Sequence, residues 1–328
     1  MDIIELIRKQ IKEAHDADNT LLGLNSVLTH IERAEFLLNK AEELEEDHLY
    51  TDVVYRTNHA FEGILKEAFQ ILAEHDSENK TPYEIENYLL DNSILNERVI
   101  ELLKNYRQDW RNPSTHDYNL FFGYSEAFLA IVSISAFVHV LLNQIVEKIY
   151  YDKEKESIKR ELSKIKDGIE NDFDKYDLLK KTQNMLLGFA KRNVARQSED
   201  DRLSRYVTEI LGSLTAFIES LDESIKIESE PILKIGDRRL RPDLIVEKSN
   251  EKVLIEFKVV RREHTAMMNR KILEDQLLSY LIHTKIGNGI LFIIPDEMNE
   301  TDEYDSVLKE LEIGSEKFRM LKIHPKRH

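Results

Sequence analysis

The sequence predicts a multidomain α and α/β protein, in which an all-helical domain and a helical connector precede an α/β domain with a central mixed sheet. At 328 residues the chain is too long for one compact core. Its first half carries apolar residues at helical spacing, whereas its last third alternates short β-rich runs with helices. The predicted domains are residues 1–150, 151–195 and 196–328.

The helical domain is predicted from apolar spacing and from residues typical of helix starts. Ile4, Ile7 and Ile11 recur at helical spacing near the beginning of the chain. Thr81 followed by Pro82 marks a helix start, with glutamates in the first turn. Further helices are predicted over residues 21–41, 53–72, 96–110 and, after the interruption at Pro113, 124–148.

Residues 151–193 are rich in Lys, Glu and Asp and have only a thin apolar stripe. This pattern predicts a helical connector, which either pairs with its mate from another subunit or forms a solvated amphipathic helix.

The last third begins with a predicted helix over residues 199–221. The order of helix, several strands, helix and strand that follows is typical of an α/β domain with one sheet face covered. Strands are predicted at residues 225–227, 232–235, 244–247, 253–260 and 289–294, with a helix over residues 266–283 before the final strand.

Composition excludes several kinds of protein. Because the chain has no cysteine, disulfides and thiolate metal sites are excluded, and a metal would bind to oxygen or imidazole. No apolar run approaches the length needed to cross a bilayer. The longest, residues 127–142, is broken by Ser133, Ser135 and His139, which suits a buried helix better than a membrane span. With no signal-peptide pattern, a cytoplasmic protein with no membrane contact is predicted.

Charge is distributed unevenly along the chain. The net charge of −16 argues against broad electrostatic capture of nucleic acid. Residues 1–160 hold 17 Lys/Arg and 30 Asp/Glu, whereas residues 161–328 hold 29 and 32. If one half binds a polyanion through charge, it is therefore the second, which contains the basic clusters Arg238-Arg239-Arg241, Arg261-Arg262 and Arg270-Lys271.

A carboxylate–lysine constellation lies on two of the predicted strands. A polar turn joins Arg-Pro-Asp-Leu-Ile-Val (241–246) to Val-Leu-Ile-Glu-Phe-Lys-Val-Val (253–260), and such a hairpin can bring Asp243 beside Glu256. Alternation along the strand places Glu256 and Lys258 on one face. Two carboxylates that bind Mg²⁺, with a lysine beside them, are suited to phosphodiester hydrolysis. The alternative is a same-face ion pair on an exposed strand.

This constellation resembles the PD-(D/E)xK (restriction-endonuclease-like) nuclease superfamily. Gln276-Leu-Leu-Ser-Tyr280 is similar to its QxxxY helix motif, although a Gln and a Tyr at this spacing also occur as ordinary helix polarity. The resemblance implies Mg²⁺- or Mn²⁺-dependent cleavage of DNA or RNA by Asp243, Glu256, Lys258 and Gln276. It also implies an acid on the helix before the sheet, for which Glu199 is the first choice and Glu209 the second; either could instead be a helix-start or surface acid.

A second segment, Arg111-Asn-Pro-Ser-Thr-His116, precedes the longest predicted helix. With the earlier Arg56-Thr-Asn-His-Ala-Phe-Glu-Gly, it resembles the R-x4-6-H signature of HEPN domains. The resemblance implies a homodimer that cleaves RNA without metal, with His116 in proton transfer and Arg111 stabilising the phosphorane. In the structural alternative, Arg111 pairs with Asp109 or Asp117 and His116 caps the helix.

Together these resemblances predict a protein with two nuclease domains, of the kind found in prokaryotic defence or toxin systems. One alternative keeps only the C-terminal DNA nuclease and makes the helical domain a dimerisation or sensor module. Another makes both halves catalytically inactive modules that bind nucleic acid or an effector.

Overall fold

The computed structural model describes residues 2–18, 21–116, 121–167, 175–197, 207–260, 270–295 and 303–326. The chain divides into two compact units, Met1–Ile149 and Tyr150–His328. As predicted, the first is helical and the second contains a mixed sheet with helices.

The first unit consists of helices, most of which coincide with predicted ones. Thr81 accepts a hydrogen bond from the Glu84 N–H, and the Glu84 carboxylate accepts one from the Thr81 N–H, so Pro82 begins its helix as predicted. The helices are α1 (Ile3–Ala17), α2 (Gly23–Leu44), α3 (His48–Leu72), α4 (Pro82–Asp91), α5 (Glu97–Tyr106), a π-helical turn (Arg107–Arg111), α6 (Asn112–His116) and α7 (Tyr124–Asp167), whose residues after Ile149 belong to the second unit.

Helices α2, α3 and α7 share an apolar core in this unit. Leu38 from α2, Val53 from α3 and Ile131 from α7 belong to one buried cluster. A hydrogen bond also joins α7 to α1, since Nδ1 of His139 on α7 lies 2.8 Å from Oε1 of Gln10 on α1. His139 is half-buried, and this bond lies partly inside the helical unit.

Helix α7 contains a stretch, Tyr124–Glu161, that is long and apolar enough to cross a membrane by length and composition alone. This differs from the expectation that no apolar run approaches that length. In its most apolar window, 61% of the residues are buried inside the protein, as in the core helix of a soluble protein.

The second unit contains the remaining elements. Its helices are α8 (Leu178–Gln197), α9 (Val207–Leu221) and α10 (Arg270–Thr284). Its strands are β1 (Lys226–Ser229), β2 (Leu233–Ile235), β3 (Arg238–Leu240), β4 (Leu244–Lys248), β5 (Glu251–Val260), β6 (Asn288–Pro295), β7 (Tyr304–Ile313) and β8 (Glu316–Pro325).

Six of these strands form a mixed sheet in the order β1-β4-β5-β6-β8-β7. Strands β1, β4 and β5 are antiparallel neighbours, β5, β6 and β8 run parallel, and β7 returns antiparallel to β8. Strands β2 and β3 form a separate two-stranded ribbon. The prediction that the strand at residues 289–294 is the last one is wrong, because β7 and β8 follow it.

Both faces of the large sheet are covered, whereas the sequence pattern predicts one covered face. Phe189 from α8 and Phe217 from α9 belong to the same buried cluster as Ile255 and Phe257 of β5. On the opposite face, residues of α10 such as Leu277 pack with β-strand residues in a second cluster. Part of the segment predicted as a connector, residues 178–190, thus contributes to the core of the sheet.

Truncation of Phe217 to alanine is expected to destabilise the second unit by about 3–5 kcal/mol. Its side chain is 1% exposed, and its ring centroid lies 5.7 Å from that of Phe189. Urea denaturation followed by circular dichroism measures the change. Val207→Ala, at a residue of the same helix that is 49% exposed, serves as the control and should cost less than about 0.5 kcal/mol. Equal losses in the two variants would contradict this account of the core.

Candidate functional site

The hairpin of β4 and β5 brings Asp243 to Glu256. Leu244 pairs with Ile255, so the next position in the antiparallel register places Asp243 opposite Glu256. The Asp243 Oδ2 accepts a hydrogen bond of 2.6 Å from the backbone N–H of Phe257. This bond fixes the Asp243 carboxylate at the beginning of β4, beside the middle of β5.

Glu256 is a buried carboxylate within an otherwise apolar strand. It is 8% exposed and shares its sheet face with Leu254, which packs beneath α10. Its Oε2 accepts a hydrogen bond of 3.3 Å from Gln276 Nε2. Its Oε1 is buried without a hydrogen-bond partner among the described residues. A buried carboxyl oxygen without a partner is costly, which marks this position as one suited to a ligand.

Gln276 and Tyr280 lie one turn apart on α10 and contact each other. Gln276 Nε2 also donates to the Tyr280 hydroxyl at 3.1 Å, and that hydroxyl donates to the Arg241 carbonyl at 3.5 Å. The two side chains of the QxxxY segment therefore connect α10 both to Glu256 and to the residues that precede Asp243.

The electrostatics of the site follow from this burial. Burial, together with the neighbouring Asp243 carboxylate, raises the pKa of Glu256 to about 8, although Lys258 opposes both effects. Burial likewise raises the pKa of Asp243, against the Phe257 N–H and Lys258. Lys258 itself is exposed on the same sheet face as Glu256. Two carboxylates that both resist ionisation form a site that a cation would stabilise.

Glu230 is a further acidic neighbour that sequence reasoning missed. Its backbone N–H donates to the Asp243 carbonyl at 2.8 Å, and its charge raises the pKa of Asp243. It adopts a φ of +45°, in the left-handed region that is unfavourable for a residue with a side chain. No local sequence signal marks Glu230, because its position depends on the pairing of Ser229 with Leu244, which places the next residue beside Asp243.

The two candidates for the helix acid have different outcomes. Glu199 lies outside the described residues. Glu209 is buried on α9, whose apolar residues pack against the sheet face opposite to that of Glu256. Within the described parts of the chain, no group of three or more His, Asp or Glu side chains could hold a metal ion. The candidate metal ligands among the described residues are therefore the carboxylates of Asp243 and Glu256.

In the first unit, a π-helical turn leads into the Arg111–His116 segment. The N–H of Asn112 bonds to the Arg107 carbonyl, five residues back, and π-helical turns are frequent at functional sites. The guanidinium of Arg111 lies 3.6 Å from the Glu62 carboxylate on α3. The ion-pair partner of Arg111 is thus Glu62 rather than Asp109, while Asp117 lies outside the described residues.

Polar contacts with α3 hold this segment in place. Asn58 Nδ2 donates to Ser114 Oγ at 2.7 Å, and the buried Tyr106 hydroxyl donates to Thr57 Oγ1 at 2.8 Å. The structure thus brings together the two segments that suggested the HEPN resemblance. His116 is the last residue of α6, and its side chain is not among the parts of the chain that the structure describes.

Comparison of the chain with protein-family models, with curated proteins and with solved structures found no match. The functional assignment therefore depends on the residues of the two sites and on their geometry.

The stability of the metal-free protein is expected to depend on pH through Glu256. Because its pKa is raised to about 8 from 4.5, its contribution to stability is complete below about pH 4.5 and is lost as the pH rises through about 8. Glu256→Gln removes the buried charge. In EDTA, this variant should melt close to the wild type at about pH 5 and above it at about pH 9.

Melting temperatures from scanning calorimetry at the two pH values measure this difference. Glu228→Gln removes an exposed carboxylate from β1 and serves as the control, for which no such pH-dependent gain is expected. A gain of the same size at both pH values in Glu256→Gln would show that the buried carboxylate does not titrate as described.

Proposed function

We propose that the second unit is a metal-dependent nuclease of the PD-(D/E)xK type, which hydrolyses phosphodiester bonds in nucleic acid. The observation that carries this proposal is the buried Glu256 Oε1, which lacks a hydrogen-bond partner among the described residues and lies beside a second, half-buried carboxylate, Asp243. An ordinary same-face ion pair would not require either carboxylate to be buried. The exposed strand that this alternative assumes also differs from the observed β5, whose centre is buried.

The donor set fits a hard divalent cation. Asp243 and Glu256 supply carboxylate oxygens, the ligands that Mg²⁺ and Mn²⁺ prefer, and a cation would compensate the charge of the unpartnered Oε1. When bound, the metal supplies Lewis-acid activation of the phosphate and of a water molecule.

The remaining residues of the site act on the substrate and on the ligands. Lys258 offsets negative charge that develops on the phosphate, since it is exposed beside both carboxylates. Gln276 orients Glu256 through its Oε2, and Tyr280 in turn fixes the Gln276 amide.

Cleavage of single-stranded RNA, single-stranded DNA and duplex DNA by the purified protein tests this function. Each substrate is incubated with Mg²⁺, with Mn²⁺ and with EDTA. The proposal expects cleavage with metal that EDTA abolishes. Binding without cleavage under every metal condition would favour the alternative in which the chain is an inactive binding protein.

A second candidate function is favoured by the Arg111 contacts. The Arg111 side chain is 23% exposed and its guanidinium pairs with Glu62, so the side chain is partly accessible while its position is restricted. This supports a HEPN-like ribonuclease site that includes His116 and acts without metal, in a homodimer formed through the helical unit. RNA cleavage in EDTA, with cyclic-phosphate products, tests it. A stable dimer without such cleavage would favour a purely dimerising or sensing role.

The cellular context follows from the same proposals. A protein with one or two nuclease sites fits a cytoplasmic effector of prokaryotic defence or of a toxin system, which destroys nucleic acid when triggered. Its partners would be DNA or RNA and a second copy of the chain.

A further inference from the structure

The two-stranded ribbon formed by β2 and β3 carries a concentration of positive charge. Residues 233–241 contain four Lys/Arg and one Asp, in a chain whose net charge is −16. Lys234 and Arg239 are directly opposed across the ribbon, and Arg238 follows a tight turn at Gly236, whose φ is +58°. The four cationic residues, all exposed, are Lys234, Arg238, Arg239 and Arg241.

This basic ribbon (Leu233–Arg241) lies along α10, the helix that contributes Gln276 to the candidate active site. Leu233 packs against the cluster formed by Leu277 and its neighbours on that sheet face. At the other end of the ribbon, Arg238 Nη1 lies 2.9 Å from His283 Nε2. The carbonyl of Arg241 accepts the hydrogen bond from Tyr280. The ribbon is thus attached to α10 beside the site itself.

The contact with His283 orients Arg238. A guanidinium only donates hydrogen bonds, so His283 accepts through Nε2 and carries its proton on Nδ1. That Nδ1 donates a hydrogen bond to the Ser279 carbonyl, which lies 2.6 Å away. One end of the Arg238 side chain is therefore fixed against the helix, while the residue as a whole remains exposed.

The spacing of residues along α10 relates the position of the basic ribbon to that of the candidate active site. His283 follows Gln276 by seven residues, which corresponds to about 10 Å along the helix axis. Phosphates of one DNA strand advance by about 3.4 Å along the duplex axis. The turn of α10 that contacts Arg238 is therefore separated from the turn that contacts Glu256 by about three phosphate spacings.

The composition of the ribbon indicates which nucleic acid it fits. Single-stranded nucleic acid is commonly bound by cations interleaved with aromatic side chains on which bases stack, and residues 233–241 contain no aromatic residue. A two-stranded ribbon fits the wide major groove of B-form DNA, whereas the major groove of duplex RNA is too narrow to admit it. Contacts to phosphates from exposed arginines suit a duplex backbone.

We propose that the basic ribbon binds the phosphate backbone of duplex DNA on one side of the scissile bond. This inference rests on the proposed nuclease function of the same site, because the ribbon acquires its role from its position beside Asp243 and Glu256. It adds a substrate class, duplex DNA, which the carboxylates alone do not specify.

Binding of a fluorescently labelled DNA duplex to the full chain tests the proposal. Anisotropy is measured in EDTA, so that no metal-dependent cleavage occurs, at several salt concentrations. The double variant Arg238→Ala/Arg239→Ala is expected to bind at least about tenfold more weakly. The slope of log affinity against log salt concentration should decrease by about 1.8, since each lost phosphate contact contributes about 0.9.

Two further double variants test whether DNA binding depends on where the positive charge lies or only on its presence. Lys226→Ala/Lys317→Ala removes two exposed cations at the opposite end of the sheet strands and should bind like the wild type. Arg238→Lys/Arg239→Lys keeps the charge and should retain most of the salt slope. An equal loss in the Lys226/Lys317 variant, or tighter binding of single strands than of the duplex by the wild type, would overturn the proposal.

The outcomes also separate this proposal from the function on which it rests. Metal-dependent cleavage by the wild type together with unchanged duplex binding by Arg238→Ala/Arg239→Ala would leave the nuclease and overturn the DNA-binding role of the ribbon. Duplex binding that depends on the two arginines, without cleavage under any metal condition, would retain the surface and overturn the nuclease.

Discussion

Asp243→Asn is expected to reduce metal-dependent cleavage by about a thousandfold or more, because metal-ion catalysis contributes several kcal/mol to such reactions. The substitution removes one of two carboxylates that would hold the cation but keeps an oxygen that can accept the Phe257 N–H. Initial cleavage rates of an end-labelled DNA duplex in Mg²⁺ measure the effect. Full activity in Asp243→Asn would eliminate the proposed site.

Glu228→Gln provides the matched control for this experiment. It removes the same charge from an exposed position on the neighbouring strand β1 and should cleave at the wild-type rate. A binding measurement distinguishes loss of metal from loss of fold. Addition of Mg²⁺ should raise the melting temperature of the wild type and of Glu228→Gln but have little effect on Asp243→Asn, whose metal-free form should remain folded.

His116→Ala is expected to reduce EDTA-resistant RNA cleavage by about 100-fold to 10,000-fold, the usual contribution of a general acid or base. The measurement uses end-labelled single-stranded RNA in EDTA, with analysis of the products for cyclic-phosphate ends. His48→Ala, at a side chain on α3 that is 66% exposed, should have no effect. Size-exclusion chromatography establishes that both variants keep the oligomeric state of the wild type.

The outcomes in the wild type and in His116→Ala separate the two roles of the helical unit. EDTA-resistant cleavage that persists in His116→Ala would remove His116 from the reaction. Its absence in the wild type, alongside metal-dependent cleavage, would make the helical unit a scaffold or sensor. In that case the ion pair of Arg111 with Glu62 would serve the fold alone.

The sequence predicted the strands whose side chains alternate clearly or are continuously apolar. Strands β5 and β6 are of this kind, since both lie in the middle of the sheet and are largely buried. Strand β8 was missed although its centre is buried, and β7 was missed because it forms one edge of the sheet. Most of its residues are exposed, and its charged side chains include Lys309, Glu310 and Glu312. On an edge strand, burial does not impose an apolar pattern, so the period-two signal is weak.

The same distinction applies to the candidate sites. The approach of Asp243 to Glu256 depends on a local hairpin, which a turn and two apolar runs are sufficient to predict. The approach of Glu230 to Asp243 depends on the pairing of β1 with β4, and that of Arg111 to Glu62 on the packing of the π-helical turn against α3. Such long-range contacts follow from tertiary structure and leave no periodic trace in the sequence.

The position of α8 has a consequence for how the second unit could be exchanged between proteins by recombination. Met185, Leu186 and Phe189 are buried in the cluster that covers one face of the sheet. A gene fragment beginning at residue 196 would encode the β4–β5 hairpin and α9 but would uncover the part of that face on which α8 packs, and its product should aggregate. Recombination that transfers an intact sheet must therefore carry the upstream coding sequence from about residue 150 onwards, so the sheet and α8 are expected to be inherited as one cassette.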